Sequence, residues 1–292
     1  MIDLHVHSYV SDGTDSPSEI IKMAFEKKIK AIALTDHDSI EGLLEAEKAA
    51  LKLKVNFLKG IEISASYKDN KLLHIIGLGI NTENEYFLKA YNNMKRAREE
   101  GMDRILNILE KQGILIDMET LRGYAVGKYL DRQAIPKYFV DKNISPSVPN
   151  VWQEYLDPIP YGRGELIKVE EALDIIKKSG GISILAHYHK KIGFYGYNTQ
   201  EVEENIKYLV GLGLQGIEEY YPSYTRRDSE YVHYIINKYG LIPSGGTDFH
   251  GKNRPEVTLG RGQNDFFVPD SVYENIFRYL HKKTNIRKEG QN

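Results

Sequence analysis

Residues 1–13 read MIDLHVHSYVSDG and place two histidines and an aspartate at the very start of the chain. Apolar and polar residues alternate over 2–6, a pattern typical of a half-buried strand. Because side chains two residues apart lie on the same face of a strand, His5 and His7 are expected to point in the same direction. The chain therefore begins with a predicted strand that offers two imidazole groups to one site.

Short β-branched runs of this kind recur along the chain and alternate with amphipathic helical stretches. Seven strands are predicted, at residues 2–6, 31–34, 55–58, 72–78, 182–185, 215–218 and 241–244. The first helix has clear start signals, with Ser16 as N-cap, Pro17 at the first helical position and Glu19 completing a capping box. This alternation predicts an α/β fold built from βαβ units around a parallel sheet.

Residues 85–165 interrupt the alternation. They combine a long helical periodicity (YFLKAYNNMKRAREEGMDRILNILEKQ) with the proline-rich stretch SPSVPNVWQEYLDPIPYG, and they contain no clear buried strand. We therefore predict a mainly helical insertion between two barrel segments, residues 1–84 and 166–292. The last eight residues, 285–292, are polar and are expected to form a frayed tail.

Composition excludes several classes of site and partner. The 292 residues are 41% hydrophobic and 27% charged, as in ordinary soluble globular proteins, and the net charge of −2 does not favour binding to long duplex nucleic acid. The absence of cysteine excludes disulfides and thiolate ligands. No signal-peptide pattern or apolar run of about 18 residues is present, so we expect a cytoplasmic protein without a membrane span; its oligomeric state stays open.

Histidine and carboxylate side chains collect at the ends of six of the seven predicted strands. The candidates are His5, His7, Asp12, His37, Glu62, His74, His187, Asp248 and His250. In a parallel barrel the carboxyl ends of the strands share one rim, so these residues are expected to converge there. Each has an ordinary alternative: a core or surface histidine, an Asx turn, or for Glu62 the acid of a helix N-terminus. Their joint placement favours a metal site.

Six imidazoles and three carboxylates are more than one ion binds, since a single ion takes about four to six donors. If one carboxylate is shared, the nine residues fit two to three divalent ions with positions left for water and substrate. Mixed imidazole and carboxylate ligands suit manganese, zinc or iron better than magnesium or calcium. Asp36 precedes His37 and is predicted to orient it.

The segments HVHSxxSDGxxSPSE, AIALTDHDSIEG, GIE, LLHIIGLGI, ILAH and GGTDFHG together resemble the polymerase and histidinol phosphatase (PHP) superfamily, over residues 1–84 and 166–260. The resemblance implies a distorted (β/α)₇ barrel with up to three metal ions, two of which share Glu62. It assigns His5, His7, Glu62 and Asp248 to one ion, Glu62, His74 and His187 to a second, and Asp12, His37 and His250 to a third.

Within the superfamily, SDGTDSPSE and TDHDSIEG are most similar to phosphoesterases that hydrolyse nucleoside 3′,5′-bisphosphates, some of which trim short 5′-phosphorylated RNA. The resemblance implies a small phosphorylated substrate and a helical insertion. Our hypothesis is that a hydroxide shared by two ions attacks the phosphorus, with Glu62 as the bridging ligand. A nearby histidine or a metal-bound water would protonate the leaving oxygen, and His187 or His250 would take this role if its metal ligation loosens.

The insertion segment YLDRQAIPKYF resembles a GRPH-like stretch that carries an arginine in such phosphoesterases. Arg132 is therefore predicted to bind a substrate phosphate, with Lys190 as a second cation, although Arg132 could also be a solvated surface arginine. The chain departs from the pattern at Asp131, where glycine is usual, and at Gln133, where proline is usual. These departures affect the substrate contacts and leave the metal ligands intact.

Three other functions remain open from the sequence. A histidinol-phosphate-type phosphatase would share every metal ligand and differ in the insertion. An amidohydrolase acting on C–N bonds often bridges its metals with a carboxylated lysine, whereas Glu62 fills that position here. A non-catalytic PHP module would have lost ligands, and this chain retains all nine.

Overall fold

The computed structural model describes residues 1–263 and 266–289. Seven strands form a mixed sheet, with the order β1-β2-β3-β5-β6-β7 and with β4 paired to β2. The strands are β1 (Ala31–Leu34), β2 (Asn56–Ser66), β3 (Leu72–Leu78), β4 (Ile167–Lys168), β5 (Ile182–Leu185), β6 (Gly216–Tyr220) and β7 (Ile242–Gly245). The α/β architecture predicted from the sequence is confirmed, and the two-residue strand β4 was not predicted.

The N-terminal segment closes this sheet into a barrel. The Asp3 amide donates to the Ala31 carbonyl at 3.0 Å and the Leu4 amide donates to the Gly245 carbonyl at 3.2 Å, so the segment lies between β1 and β7. The predicted strand at 2–6 is therefore corrected to an extended segment with isolated bridges, because its hydrogen bonds go alternately to two neighbours. Ile2 is fully buried in the core that this closure creates.

One strand runs against the others. β3 pairs antiparallel with both β2 and β5, whereas the β1–β2, β5–β6 and β6–β7 pairs are parallel. The expectation of an all-parallel sheet is therefore corrected. Because β3 is reversed, its first residues, including His74, lie at the rim where the parallel strands end.

β2 is much longer than the predicted strand at 55–58. It continues to Ser66, and Glu62 lies inside it, paired in register with Ile76 of β3. The polar residues within β2 hid this continuation in the sequence. Glu62 is nevertheless fully buried, since its side chain faces the site.

Eleven α-helices are described in residues 1–263 and 266–289. They are α1 (Pro17–Glu26), α2 (Leu43–Leu53), α3 (Glu85–Glu100), α4 (Met102–Lys111), α5 (Met118–Arg122), α6 (Ala134–Asp141), α7 (Val148–Val151), α8 (Val169–Lys178), α9 (Thr199–Leu212), α10 (Arg226–Tyr239) and α11 (Asp270–Glu289). The predicted capping box of α1 is confirmed: Ser16 Oγ accepts from the Glu19 amide at 3.2 Å, and the Glu19 carboxylate accepts from the Ser16 amide at 2.8 Å. In the described part of the chain, no helix is both long and apolar enough to cross a membrane.

The structure describes all of residues 85–165, and they form helices and no strand. Helices α4–α7 pack around their own apolar cluster, which includes Met102, Ile105, Phe139 and Val151. The proposed limits of this insertion stay a prediction. At the other end of the chain, α11 continues to Glu289 through the first five residues of the predicted tail, and 290–292 lie outside the described residues.

Candidate metal centre

All nine predicted ligands come together at the rim of the barrel, linked by short distances between imidazole nitrogens and carboxylate oxygens. Three groups of them have ligand atoms close enough to hold an ion: His5, His7, Glu62 and Asp248; His37, Glu62 and His74; and His7, Asp12, His37 and His250. The reversed strand β3 brings His74 to this rim, and β2 brings Glu62 to the centre.

The first group has the spacing of ligands around a single ion. His5 Nε2 and His7 Nε2 lie 3.0 Å apart, and each lies 3.1 Å from Glu62 Oε2. Asp248 Oδ1 is 3.4 Å from His5 Nε2 and 3.3 Å from His7 Nε2. Ligands bound at about 2.0–2.2 Å to a tetrahedral ion lie about 3.3–3.6 Å from one another. The group therefore fits the four ligands of one ion.

The other oxygen of Glu62 faces His74 of the second group and also His187, which extends that group. Glu62 Oε1 lies 3.0 Å from His74 Nδ1 and 3.0 Å from His187 Nε2, and these two nitrogens are 3.3 Å apart. Each oxygen of Glu62 thus faces a different set of histidines, which is the geometry that a bridging carboxylate needs. His37 Nδ1 is also close, at 3.2 Å from Glu62 Oε2.

The third group surrounds Asp12 and is the most open. Asp12 Oδ1 lies 3.2 Å from His250 Nε2 and 3.6 Å from His7 Nδ1, and Asp12 Oδ2 lies 3.8 Å from His37 Nε2. Asp12 and His37 are partly exposed, while His7 and His250 are buried. His37 therefore lies between Glu62 and Asp12, with one ring nitrogen facing each.

Buried ligand atoms without hydrogen bonds indicate that these groups fit metal ions. Among the described residues, His7 Nδ1, Asp12 Oδ1, His37 Nδ1, His187 Nδ1 and His250 Nε2 have no hydrogen-bond partner. Buried polar atoms are rarely left unpaired in native proteins, so a cluster of them needs an explanation. Divalent ions would satisfy those atoms that face a ligand group.

The protonation states support the same conclusion in part. Burial raises the pKa of Glu62, but His5, His74 and other nearby histidines outweigh it and hold this pKa well below its usual range. Burial lowers the pKa of His37 to about 3, so this imidazole is neutral. Burial also lowers the pKa of His7, yet hydrogen bonds to Asp248 and Glu62 raise it overall to about 9. Metal binding must therefore displace a proton from His7.

Glu218 in the middle of β6 contacts two candidate ligands, and it was not selected from the sequence. Its Oε1 accepts from His5 Nδ1 at 2.9 Å and its Oε2 accepts from the His187 amide at 2.7 Å. The backbone of His187 has φ +23°, a conformation that residues other than glycine rarely adopt. The hydrogen bond from its amide to Glu218 helps to hold the backbone in this conformation. The available signal was position, since Glu218 is the last residue of a predicted strand.

Asp36 does not orient His37 as predicted. Its carboxylate accepts hydrogen bonds from the Ser8 amide, the Ser8 hydroxyl and the Ser11 hydroxyl, each at 2.7 Å. These contacts fix the loop that follows His7 and carries Asp12. Asp36 therefore acts on the site through that loop.

Asp248 is held from the side opposite the histidines. Its Oδ2 accepts from the Tyr221 hydroxyl at 2.6 Å and is ion-paired with Arg254, which leaves Oδ1 directed at His5 and His7. Lys190 Nζ lies 3.8 Å from the same Oδ2, with about a third of its side chain exposed. Lys190 thus lies beside the candidate ligand Asp248, and its contact with substrate stays a prediction.

The family assignment follows from a match across most of the chain. The model of the PHP domain matches residues 3–234. This chain belongs to the PHP domain family. A 3′,5′-nucleoside bisphosphate phosphatase from Chromobacterium violaceum is 31% identical over 266 residues, covering 90% of this chain and 92% of that protein.

One further relative resembles this chain in sequence and one solved structure resembles it in fold. A 5′-3′ exoribonuclease from Haemophilus influenzae is 29% identical over 85% of this chain and 89% of its own length. The solved structure of a predicted metal-dependent phosphoesterase from Bifidobacterium adolescentis has the same fold, with a TM-score of 0.79, 22% identity and 95% coverage of both chains. The protein is a PHP-family metal-dependent phosphoesterase.

The predicted role of Arg132 in this PHP site is corrected by its surroundings. Arg132 is 2% exposed, and its guanidinium donates to the Ile159 carbonyl at 2.8 Å and to the Pro160 carbonyl at 2.9 Å. It also lies 3.3 Å from Glu165 Oε2 and 3.9 Å from the ring centre of Tyr161. Both terminal nitrogens are occupied, so Arg132 stabilises the insertion and does not present a free fork to a phosphate.

Proposed function

We propose that this PHP phosphoesterase hydrolyses the 3′-phosphate of nucleoside 3′,5′-bisphosphates or acts on short 5′-phosphorylated oligonucleotides. The observation that supports this most is the shared position of Glu62, whose two oxygens face two different groups of imidazoles. Two of the relatives, a nucleoside bisphosphate phosphatase and an exoribonuclease, act on substrates of these two kinds by name.

The donor set fits two to three manganese, zinc or iron ions. When bound, such ions neutralise charge on the phosphoryl oxygens and activate water as the nucleophile. The protein contributes fixed ligand geometry: Glu218 orients His5, and Tyr221 with Arg254 orients Asp248. Lys190 offers a cation beside Asp248 for a further oxygen of the substrate.

The two histidines predicted to protonate the leaving oxygen differ in their hydrogen bonds. His250 Nδ1 donates to the Asp248 carbonyl at 2.8 Å, which keeps Nε2 as the unprotonated nitrogen that faces Asp12. His187 Nδ1 has no hydrogen-bond partner among the described residues. We therefore favour His187 over His250 as the proton donor.

A substrate panel tests this proposal. Manganese-loaded protein is assayed for phosphate release from adenosine 3′,5′-bisphosphate, 5′-AMP and histidinol phosphate, and for mononucleotide release from a short 5′-phosphorylated RNA, with His7→Ala as the control. We expect turnover of the bisphosphate or the RNA, little from 5′-AMP, and loss of activity in the control. Turnover of histidinol phosphate alone would overturn the nucleotide assignment.

A further inference from the structure

A group of charged side chains lies beside the metal centre, on the side of the helical insertion. Lys95 of α3, Lys137 of α6 and Asp131, which precedes α6, line one cavity together with His37. Val126 of the insertion also lines this cavity. These charged side chains therefore lie between the candidate ligand His37 and the helical insertion.

The charges in this cavity do not balance. Lys95 is ion-paired with Asp131, and both side chains are buried. Lys137 makes no ion pair with any residue in 1–263 or 266–289 and donates one hydrogen bond, to the Val10 carbonyl at 3.3 Å. An ammonium group has three donors, so Lys137 keeps two for another acceptor.

Lys137 is also placed close to the metal centre. Val10, its hydrogen-bond partner, belongs to the same loop as Asp12. Burial lowers the pKa of Lys137, while Asp131, Asp36 and Asp12 act in the opposite direction. A partly buried cation without a carboxylate partner is costly unless an anion accompanies it. The anion that the proposed reaction brings to this place is a phosphate group of the substrate.

We propose that Lys137 binds the second, non-reacting phosphate of the substrate and that Asp131 weakens this contact by holding Lys95 in a neutral pair. The proposal rests on the proposed function, because it assumes a substrate with two phosphate groups. It assigns to Lys137 the role that the sequence predicted for Arg132, five residues earlier in the same segment. Lys137 and Asp131 then determine how strongly the enzyme prefers a bisphosphate over a monophosphate.

Two substrates that differ by one phosphate test the role of Lys137. KM and kcat are measured with manganese-loaded protein for adenosine 3′,5′-bisphosphate and for 3′-AMP. We expect Lys137→Met to raise KM for the bisphosphate about tenfold or more, the loss expected for a charge-assisted hydrogen bond, and to leave KM for 3′-AMP unchanged. Lys137→Arg should recover most of the affinity. Equal effects on both substrates would overturn the proposal.

Lys142→Met is the matched control, because it removes the same charge just after α6 from an exposed side chain that pairs with Asp141. It should leave both KM values unchanged. Thermal unfolding of each variant shows whether the fold is intact. A loss of bisphosphate affinity in this control as large as that in Lys137→Met would show that net charge, and not the position of Lys137, decides affinity.

Asp131 is expected to have the opposite effect from Lys137 and to weaken binding of the bisphosphate. Asp131→Asn frees Lys95 and should lower KM for the bisphosphate several-fold. Because this variant leaves a buried lysine unpaired, the double variant Lys95→Met/Asp131→Asn removes the pair as a neutral unit and should restore a KM near that of the unmodified protein. An increase in KM in Asp131→Asn, with the protein still folded, would contradict the assigned role.

Equilibrium dialysis separates failure of this proposal from failure of the proposed function. Adenosine 3′,5′-bisphosphate binding to metal-free protein is compared with that to Lys137→Met. Weaker binding by the variant supports the subsite even if the bisphosphate is not hydrolysed. Equal binding by the two proteins overturns it even if the bisphosphate is a good substrate.

Discussion

Replacing Glu218 by glutamine changes the metal centre without touching a ligand. The carboxylate accepts two hydrogen bonds, from His5 Nδ1 at 2.9 Å and from the His187 amide at 2.7 Å. A glutamine side chain supplies one carbonyl oxygen and one NH₂ group in the same place. Whichever way the amide is oriented, one of the two donors then faces another donor.

The expected loss is large because Glu218 is fully buried. A lost hydrogen bond to a charged group costs about 1.5–3 kcal/mol, and changes to residues that orient metal ligands typically weaken metal affinity roughly 10–100-fold. His5 belongs to the first ligand group and His187 to the second. We therefore expect Glu218→Gln to weaken at least one metal position by about one to two orders of magnitude.

Metal content after dialysis against graded free manganese, measured by mass spectrometry, tests this expectation. Glu219→Gln is the matched control, because Glu219 is the next residue and pairs with the exposed His233, away from the ligands. Thermal unfolding of the metal-free proteins shows whether both variants are folded. Identical metal affinities for Glu218→Gln and Glu219→Gln would refute the orienting role of Glu218.

Three further predictions concern the ligands, the insertion and the metal itself. Glu62→Ala should lose more bound metal than His250→Ala, because Glu62 faces two ligand groups whereas His250 contacts the Asp12 group; equal metal contents would contradict a shared carboxylate. Arg132→Met should lower the free energy of unfolding by about 3 kcal/mol in urea titrations, because it leaves Glu165 and two carbonyls without this donor. The same variant should leave KM for 3′-AMP unchanged. A rise in KM without a loss of stability would restore the predicted phosphate contact. Chelation of the metal should abolish phosphate release and lower the midpoint of thermal unfolding, because a bound ligand stabilises the native state by RT ln(1 + [L]/Kd). An unchanged midpoint, with metal removal confirmed, would show that the bound metal does not stabilise the fold.

The clustering of the nine candidate ligands was predictable because most of them are marked locally. His5 and His7 show the two-residue period of a strand, and Asp248 and His250 follow a buried strand directly. Residues at strand ends can be placed together without knowing any long-range contact, because the ends of parallel strands lie at one rim. Glu218 carried the same signal, as the last residue of the predicted strand at 215–218, and was not selected.

Arg132 shows what local signals cannot supply. Its position in the segment YLDRQAIPKYF suggested a phosphate contact, but the carbonyls of Ile159 and Pro160 that bind it lie 27 and 28 residues further along the chain. Whether an arginine is free depends on those distant partners, which no spacing rule reveals. Lys137 in the same segment has one such partner, the Val10 carbonyl, and no ion pair in the described residues, and it was not selected.

The reversed strand β3 explains the placement of both His74 and the insertion. Because β3 ends at the rim opposite the metal ligands, the chain must return before the insertion can contribute to the site. Helix α3 makes that return: its 16 residues span about 24 Å at about 1.5 Å per residue. At its start, Asn84 donates to the Lys178 carbonyl, just before β5 begins.

Near its end, Arg98 of α3 pairs with Asp38 at 2.8 Å, one residue after the ligand His37. The same helix places Lys95 in the cavity beside His37, so the insertion emerges next to the metal centre. An all-parallel barrel would have ended its fourth strand at the metal rim and would have placed His74, near the start of that strand, at the opposite end. The antiparallel strand therefore brings the candidate ligand His74 to the rim and delivers the helices of the insertion beside it through a single change in chain direction.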